Sequence, residues 1–140
     1  MIDPMCDYPG YLLRRASAMA MARLAKHLKA LHLNPTDATV LSVIEANPNS
    51  KQSEIGRMLD IARANMAPLI SRLAQRYLIQ RQPVDGRSHG LILSRAGRAL
   101  LPRIKSAFAE HEEALMRDIP ATQRRALVAA LRALLKEAVT

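Results

Sequence analysis

Two short stretches of the chain carry arginines beside small polar residues, a combination that suits the reading of DNA bases. Arg63 and Asn65 stand at the start of a helical pattern; an arginine can donate two hydrogen bonds to guanine, and an asparagine can pair with adenine. Arg87 follows Asp85-Gly86 in a turn, and a guanidinium in a flexible loop can enter the negative minor groove. The alternative is that Asp85-Gly86 is only a turn signal and that Arg87 is a solvated tip.

Groups that could catalyse a reaction are few. The acidic residues are scattered, and no nucleophile is paired with a base. The histidines, at positions 27, 32, 89 and 111, form no tight motif with carboxylates or with Cys6, and His111-Glu112-Glu113 is only a weak metal signal. The sequence therefore predicts a binding protein with no metal, no cofactor and no enzymatic activity.

Positive charge is concentrated in the middle of the chain. The whole sequence has 21 Lys and Arg against 12 Asp and Glu, a net charge of +9. Residues 51–105 hold eleven of these basic residues and three of the acidic ones, a net charge of +8. A generally basic, solvated surface would scatter the charge, so the concentration indicates a localised surface for a polyanion.

Composition predicts one mostly helical domain. The chain has 140 residues, of which 49% are hydrophobic and only 3% aromatic, so Leu, Ala, Met and Ile must build the core. A single cysteine excludes an intramolecular disulfide. There is no apolar run of eighteen residues and no signal-like segment at Met1, so we expect a cytoplasmic protein with no membrane partner.

Apolar periodicity and capping residues predict six helices and one hairpin. The helices are expected at Tyr8–Leu33, Pro35–Ala46, Lys51–Leu59, Ala62–Gln75, about 95–118 and Ala121–Ala138, and the strands at 78–82 and 90–93. The third and fourth helices are short and joined by a tight turn, which is typical of a helix-turn-helix. The hairpin that follows would be a basic wing.

The helix predicted at Ala62–Gln75 has one apolar face, formed by Met66, Leu69, Ile70 and Leu73. Its opposite face would be exposed and could enter the major groove. This exposed face consists of Arg63, Ala64, Asn65, Ala67, Pro68, Ser71 and Arg72.

Three further expectations concern charged residues and a proline near this helix. Arg72 and Arg76 lie further along it and are better placed for phosphates. Asp85 could hold Arg87 or reach back to a helix arginine. Pro68 lies inside the helix and should kink it or tighten it locally.

The first and the last two helices are longer than a domain of this size can cover. Leu13, Met21, Leu24 and Leu28 recur along the apolar side of the first helix, and the last helix has a leucine stripe. Such stripes can meet those of a second copy in a two-fold helical dimer. We therefore expect residues 1–33 and 95–140 to form a helical dimerisation region and residues 34–94 a winged helix-turn-helix DNA-binding region.

The chain resembles the multiple antibiotic resistance regulator (MarR) family of winged-helix repressors. The resemblance rests on Gln-Ser-Glu-Ile-Gly-Arg-Met-Leu from Gln52, on Ile61–Met66, and on Asp85-Gly86-Arg87-Ser88 before Leu-Ile-Leu-Ser-Arg-Ala-Gly from Leu91. It implies a homodimer on a pseudo-palindromic operator, with the helix at 62–75 in the major groove and Arg87 in the minor groove. It also implies a ligand pocket between the two regions. Many members have Ser-Thr-Val-Thr where this chain has Ala64-Asn65-Met66-Ala67, so the operator sequence cannot be transferred.

Tyr11, Arg14 and Arg15 are the candidate residues for a small-molecule effector. An arginine can clamp a carboxylate or phosphate, and a phenol can flank an aromatic ring. Members that this chain resembles detect aromatic carboxylic acids, or their coenzyme A thioesters, with an arginine in this helix, which suggests control of aromatic compound catabolism. The alternatives are that the arginines only solvate the helix or pair across a dimer, that Cys6 senses peroxide, or that the protein binds nucleoid DNA or RNA without a ligand.

Overall fold

The computed structural model describes residues 1–135, which form a mostly helical fold with one two-stranded hairpin, as predicted. Helices α1 to α6 span Pro9–Leu28, Pro35–Ala46, Gln52–Met58, Arg63–Gln75, Arg95–Arg117 and Arg124–Leu135, and strands β1 and β2 span Ile79–Pro83 and His89–Leu93. Short 3-10 turns at Lys29–Leu31 and Ala121–Gln123 extend α1 and precede α6. Residues 136–138 of the predicted last helix lie outside the described residues.

The core lies where α1, α2, α4, α5 and the hairpin meet. Leu28, Leu41, Ile44, Ile70 and Ile104 have no exposed surface there. Each such side chain stabilises the fold by about 1.5–3 kcal/mol when it leaves water. These contacts hold the hairpin and α4 against one scaffold.

Only the second half of α1 joins this core. Leu24 and Leu28 are buried, but Leu13 and Met21 remain 40% and 45% exposed in the single chain. The predicted end of this helix needs correction. The α-helix stops at Leu28, and the 3-10 turn that follows ends at His32, whose left-handed backbone (φ 53°) cannot continue a helix.

Predicted caps begin two of the helices. The side-chain oxygen of Asn34 accepts a hydrogen bond from the backbone N–H of Asp37 at 2.8 Å, with Pro35 in the first turn of α2. Ser94 Oγ likewise accepts from the N–H of Gly97 at 3.0 Å and begins α5. Both helices therefore start where their capping residues predict.

The turn between α3 and α4 is short. Asp60 takes a left-handed conformation (φ 54°), and the N–H of Ile61 donates to the carbonyl of Gly56 at 2.8 Å. The spacing of Ile55, Met58 and Leu59 predicts that all three are buried; Ile55 is buried beneath this turn, but Met58 is 62% exposed, so that prediction is wrong for Met58. The burial of Ile55 and of the apolar face of α4 fixes the angle between the two helices.

The hairpin is anchored to the segment before α3. Strands β1 and β2 pair antiparallel, with Ile79 opposite Leu93 and Pro83 opposite His89. Beyond this ladder, the N–H of Asn49 donates to the carbonyl of Leu91, and the N–H of Leu91 donates to the carbonyl of Ser50, both at 2.9 Å. The wing therefore moves with the helix-turn-helix rather than as a separate loop.

Helix α6 has no buried residue. Leu131, Leu134 and Leu135 are 36%, 64% and 61% exposed, and Leu127 is half-buried.

Both α4 and α5 continue as α-helices through their internal prolines, Pro68 and Pro102. Between residues 1 and 135, none of the helices is both long and apolar enough to cross a bilayer.

Gly97 permits the close approach of α5 to Leu78, the residue before β1, which yields a stability prediction. A Cβ at this position would clash with the carbonyl oxygen of Leu78, a backbone atom that cannot rotate away. We expect Gly97→Ala to lower the free energy of unfolding by about 1–3 kcal/mol, measured by urea denaturation. Gly10→Ala is the matched control, because no atom lies within 4 Å and alanine favours helix. Equal stability of the two variants would contradict this close packing.

Candidate nucleic-acid interface

Helix α4 presents the face that its sequence predicts. Met66, Leu69, Ile70 and Leu73 are at most 4% exposed and hold the helix on the core. The opposite face is exposed along its whole length, and its residues are Arg63, Ala64, Asn65, Ala67, Pro68, Ser71 and Arg72. A helix held in this way can present short side chains to the edges of bases without losing its place in the fold.

Three elements converge beside the start of α4 on a cavity of about 600 Å³. Helix α3, the start of α4 and the base of the wing each contribute side chains to it. Its walls are formed by Lys51, Gln52, Ser53, Gly56, Arg57, Ile61, Arg63, Met66, Ser88 and His89. Three of these residues are permanently cationic and none is acidic, so the cavity attracts anions.

Ser88 adds a polar group to this cavity. Its hydroxyl oxygen is buried. A hydroxyl can both donate a hydrogen bond to a ligand and accept one from it. Ser88 thus links the predicted wing residues to the surface around Arg63.

Asp85 organises the wing loop, residues 84–88, through the backbone. Its Oδ1 accepts hydrogen bonds from the N–H groups of Arg87 at 3.0 Å and Ser88 at 2.8 Å. The N–H of Arg87 has the largest effect on the pKa of Asp85, and the hydroxyl and N–H of Ser88 have the next largest; together they lower this pKa to about 2. Its other oxygen lies 3.9 Å from Lys51 Nζ. The expectation that Asp85 holds the Arg87 guanidinium or a helix arginine is therefore wrong, because both oxygens have other partners.

Arg72 and Arg76 have partners within the fold. Arg72 donates to Asp37 at 2.9 Å, an ion pair between α4 and α2 in which the carboxylate is nearly buried and the arginine half-exposed. Arg76 donates to the carbonyls of His32 and Leu31 at 2.6 and 3.0 Å, at the end of the first helical segment. A phosphate contact by either residue would compete with these bonds, so their predicted role stays a prediction.

The candidate effector residues of α1 lie together. Tyr11 donates its hydroxyl proton to Asp3 at 2.8 Å, and Arg15 donates to the same carboxylate at 3.0 Å. The guanidinium of Arg14 lies 5.5 Å from the centre of the Tyr11 ring. Among the described residues, Arg14 has no acidic partner. This cluster is open to solvent in the single chain.

Three smaller features lie near α1. A cavity of about 160 Å³ between α1 and the helix-turn-helix is lined by Met21, Pro35, Thr36, Thr39, Leu59 and Ile61. Cys6 is exposed in the turn that precedes α1. Deeper along α1, His27 lies edge-on to the buried His111, with ring centres 6.0 Å apart. Within residues 1–135, no group of three His, Cys, Asp or Glu side chains could hold a metal ion.

Sequence reasoning missed the contribution of α3 to the basic cavity. Lys51, Gln52, Ser53 and Arg57 line it together with His89 at the start of β2. The excess of positive charge that begins at Lys51 was a signal for this cavity, because Lys51 and Arg57 both contribute to it. Their place beside Arg63 depends on how α3 packs against α4, which no local pattern specifies.

Helix-turn-helix, wing and basic cavity together define a winged-helix DNA-binding protein, and comparisons with known proteins agree. A family model described as MarR family matches residues 32–88. The transcriptional repressor CouR, solved with a 23-mer DNA duplex, is 32% identical with a TM-score of 0.87, covering 96% of this chain and 99% of that one. CouR bound to p-coumaroyl-CoA is 30% identical with a TM-score of 0.89, covering 98% of both chains.

A curated relative points the same way. The putative transcriptional regulatory protein for the hcr operon of Thauera aromatica is 25% identical over 131 residues, covering 91% of this chain and 79% of that protein. The chain belongs to the MarR family. It is a transcriptional regulator and not an enzyme.

The hydrogen bonds of Asp85 predict how the wing loop responds to mutation and to acid. Asp85→Ala should speed amide hydrogen exchange at Arg87 and Ser88, because both N–H groups lose their acceptor. In the wild-type protein the pKa of Asp85 is lowered to about 2 from the ordinary 3.8. The ionised carboxylate therefore stabilises the loop fully above pH 3.8, and this stabilisation is lost as the pH falls through about 2.

The control for the Asp85 measurement is Lys51→Met. This variant removes only the 3.9 Å ion pair and keeps both hydrogen bonds, so protection at residues 87 and 88 should remain. Equal exchange rates in Asp85→Ala and wild type would contradict the assigned role of the carboxylate.

Proposed function

We propose that the protein is a homodimeric repressor that binds a pseudo-palindromic operator duplex through α4 and the wing loop. The observation that carries the proposal is the convergence of α3, the start of α4 and the base of the wing on one cationic cavity beside the exposed face of α4. Duplex DNA presents a chain of phosphates beside each groove and matches such a surface. The 23-mer DNA duplex bound to CouR supports this reading.

In this proposal the face of α4 reads the major groove. Arg63 donates two hydrogen bonds to a guanine, and Asn65 pairs with an adenine. The remaining residues of the face, Ala64, Ala67, Pro68 and Ser71, are small enough to let the helix approach base edges closely. Phosphates beside the groove bind in the basic cavity, where Ser88 Oγ supplies a hydrogen bond and Lys51 and Arg57 supply charge.

The wing loop reaches the neighbouring minor groove in this proposal. Asp85 holds the backbone of Arg87 and Ser88 in a turn, and the Arg87 side chain extends from it into solvent. A guanidinium is attracted by the strong negative potential of a narrow minor groove. Arg72 and Arg76 add phosphate contacts only where a phosphate outcompetes their partners in the fold.

We propose residues 34–94 as the DNA-binding region and residues 1–33 and 95–140 as the dimerisation region. The exposed leucines of α6, together with Leu13 and Met21 of α1, are the surface that a second copy would cover. Exposed leucines at helical spacing along α6 are typical of a surface that a partner covers. A two-fold dimer would also present two copies of α4, as a palindromic operator requires.

We propose that a small aromatic acid, or its coenzyme A thioester, is the effector that releases the protein from DNA. Support comes from CouR bound to p-coumaroyl-CoA and from the cavity of about 160 Å³ beside Met21. An apolar cavity of about 150 Å³ can hold a benzene ring. The candidate cluster of Tyr11, Arg14 and Arg15 lies about two to three helical turns before Met21 on α1, where it can meet the anionic end of the ligand.

The position of Ile61 gives the effector a route to the DNA-binding surface. This residue lies in the turn before α4 and lines both the small cavity and the basic cavity. A ligand that displaces Ile61 would move the start of α4, where Arg63 and Asn65 lie. By linkage, the factor by which ligand weakens DNA binding equals the factor by which DNA weakens ligand binding.

Fluorescence anisotropy tests the DNA contacts, using a duplex that the wild-type protein selects from a random-sequence pool. Arg63→Ala should weaken binding by about 1–3 kcal/mol and relax discrimination at one base pair in each half-site. Arg87→Ala should reduce the slope of log Kd against log salt by about 1 per wing, because each wing loses one cation that neutralises DNA charge.

Arg117→Ala is the matched control for these variants. It removes the same charge from an exposed position of α5 and should leave binding unchanged. An unaltered salt slope for Arg87→Ala would contradict the role of the wing, and equal affinity for selected and random duplex would favour a nucleoid protein. Addition of p-coumaroyl-CoA should lower the affinity for the selected duplex.

The mass of the protein in solution, measured by light scattering after size-exclusion chromatography, tests the dimer. The wild-type protein should have twice the mass of the 15.5 kDa chain, and Leu131→Glu should shift it towards the monomer because a charge would enter the apolar stripe. Ala129→Glu, on the opposite side of α6, is the control and should stay dimeric. A wild-type protein that runs as a monomer would contradict the proposal.

A further inference from the structure

The segment before α1 folds back over the first turns of that helix. Asp3 Oδ1 accepts the backbone N–H of Met5 at 2.9 Å, and the N–H of Tyr8 donates to the carbonyl of Met5 at 3.0 Å. These two bonds form a turn ahead of Pro9, which begins the helix. The turn directs the second carboxylate oxygen of Asp3 towards α1.

That oxygen meets two donors of α1. Tyr11 donates to Asp3 Oδ2 at 2.8 Å, and Arg15 Nη1 donates to the same oxygen at 3.0 Å. Arg15 also donates to the Tyr11 hydroxyl at 3.3 Å, and the two residues are one helical turn apart. With Arg14 beside the Tyr11 ring, these donors form a receptor for an anionic oxygen.

We propose that Asp3 is an internal competitor for the effector: its carboxylate occupies the Tyr11–Arg15 receptor and must be displaced when the effector's anionic group binds there. The arrangement of Asp3, Tyr11 and Arg15 is called the Asp3 clasp below. This inference rests on the proposed effector function and adds a regulatory element to it. The ligand chemistry is an anionic oxygen, either the carboxylate of a free aromatic acid or a phosphate of its coenzyme A thioester.

The clasp is built to be both occupied and displaceable. The Met5 N–H, followed by the Tyr11 hydroxyl, lowers the pKa of Asp3, so its carboxylate is ionised at neutral pH. The side chains of Arg15 and Asp3 are 64% and 35% exposed, and an ion pair so open to water contributes little stability. A ligand that offers a comparable anion and also buries a ring beside Met21 has an advantage that Asp3 lacks.

Competition has a measurable consequence. Ligand binds the open receptor only, so its apparent Kd is the intrinsic Kd divided by the fraction of molecules in which the clasp is open. Removing the Asp3 charge raises that fraction. If the clasp is closed in about 70–90% of molecules, its loss tightens ligand binding about 3- to 10-fold.

The test compares Asp3→Asn with Asp7→Asn by isothermal titration calorimetry of the full-length protein. Asparagine at position 3 keeps the oxygen that accepts the Met5 N–H but loses the charge that holds Arg15. Asp7 is an exposed acid in the same segment, and among the described residues it makes no hydrogen bond or ion pair, so its variant controls for net charge. We expect about 3- to 10-fold tighter binding for Asp3→Asn only.

Two probes distinguish the sources of the anion. Tighter binding of p-coumarate alone identifies a carboxylate in the receptor, and tighter binding of p-coumaroyl-CoA alone identifies a phosphate. An unchanged Kd for both probes in Asp3→Asn overturns the competition. The absence of binding heat for both probes, in wild type and variant alike, overturns the receptor as well.

Arg15→Ala separates failure of the clasp from failure of the effector site. Weaker probe binding in Arg15→Ala together with unchanged binding in Asp3→Asn would refute only the clasp. Unchanged binding in Arg15→Ala would refute the effector site at Tyr11 and Arg15. Operator binding, measured separately, tests the DNA-binding function independently of both.

Cys6 provides a second, structural readout. It is the single cysteine of the chain, is exposed, and lies three residues after Asp3. A nitroxide spin label on Cys6 should give a broad electron paramagnetic resonance spectrum in the wild type, because the clasp restricts the segment. The spectrum should sharpen when the displacing probe is added. Asp3→Asn should give the sharp spectrum without probe, and a spectrum that the probe does not change in wild type would contradict displacement.

Discussion

The burial of one face of α4 determines the direction in which the functional residues point. Met66, Leu69, Ile70 and Leu73 are removed from water almost completely, and any rotation of the helix would expose several of them at a cost of about 1.5–3 kcal/mol each. With α4 held in this way, Arg63 must face outward. Because Ile61 and Ile55 bury the turn beside it, the start of α4 cannot move without disturbing α3.

The arginines of the central segment divide into two groups by their neighbours. Arg72 and Arg76 bind Asp37 and the carbonyls that end the first helical segment, so they tie α4 to the scaffold. Arg63 and Arg87 are exposed and make no side-chain hydrogen bond or ion pair among the described residues. The charge of these two side chains has no partner among the described residues, so each can pair with a phosphate or a base without breaking a contact of the fold.

Local patterns predicted the helix order, the hairpin and both faces of α4, because spacing and capping act over a few residues. They failed where the answer depends on a distant neighbour. Met21 belongs to the same apolar stripe as the buried Leu24 and Leu28, yet it is 45% exposed, since periodicity identifies an apolar face without identifying what packs on it. Asp85 has the charge to bind an arginine, but two backbone N–H groups lie closer, and Asp37 meets Arg72 across 35 residues of sequence.

A regulator of this design needs an element shared by two sites, and the turn before α4 has that property. Ile61 lines the small cavity beside Met21 as well as the basic cavity beside Arg63. Helix α1 contributes to the first cavity and carries the Asp3 clasp at its start, while its exposed apolar residues would face a second subunit. In the proposed mechanism, effector binding, dimer geometry and the placement of α4 all involve α1. A ligand that binds better when α4 is displaced needs no long pathway, because one packed side chain separates its cavity from the DNA-binding surface.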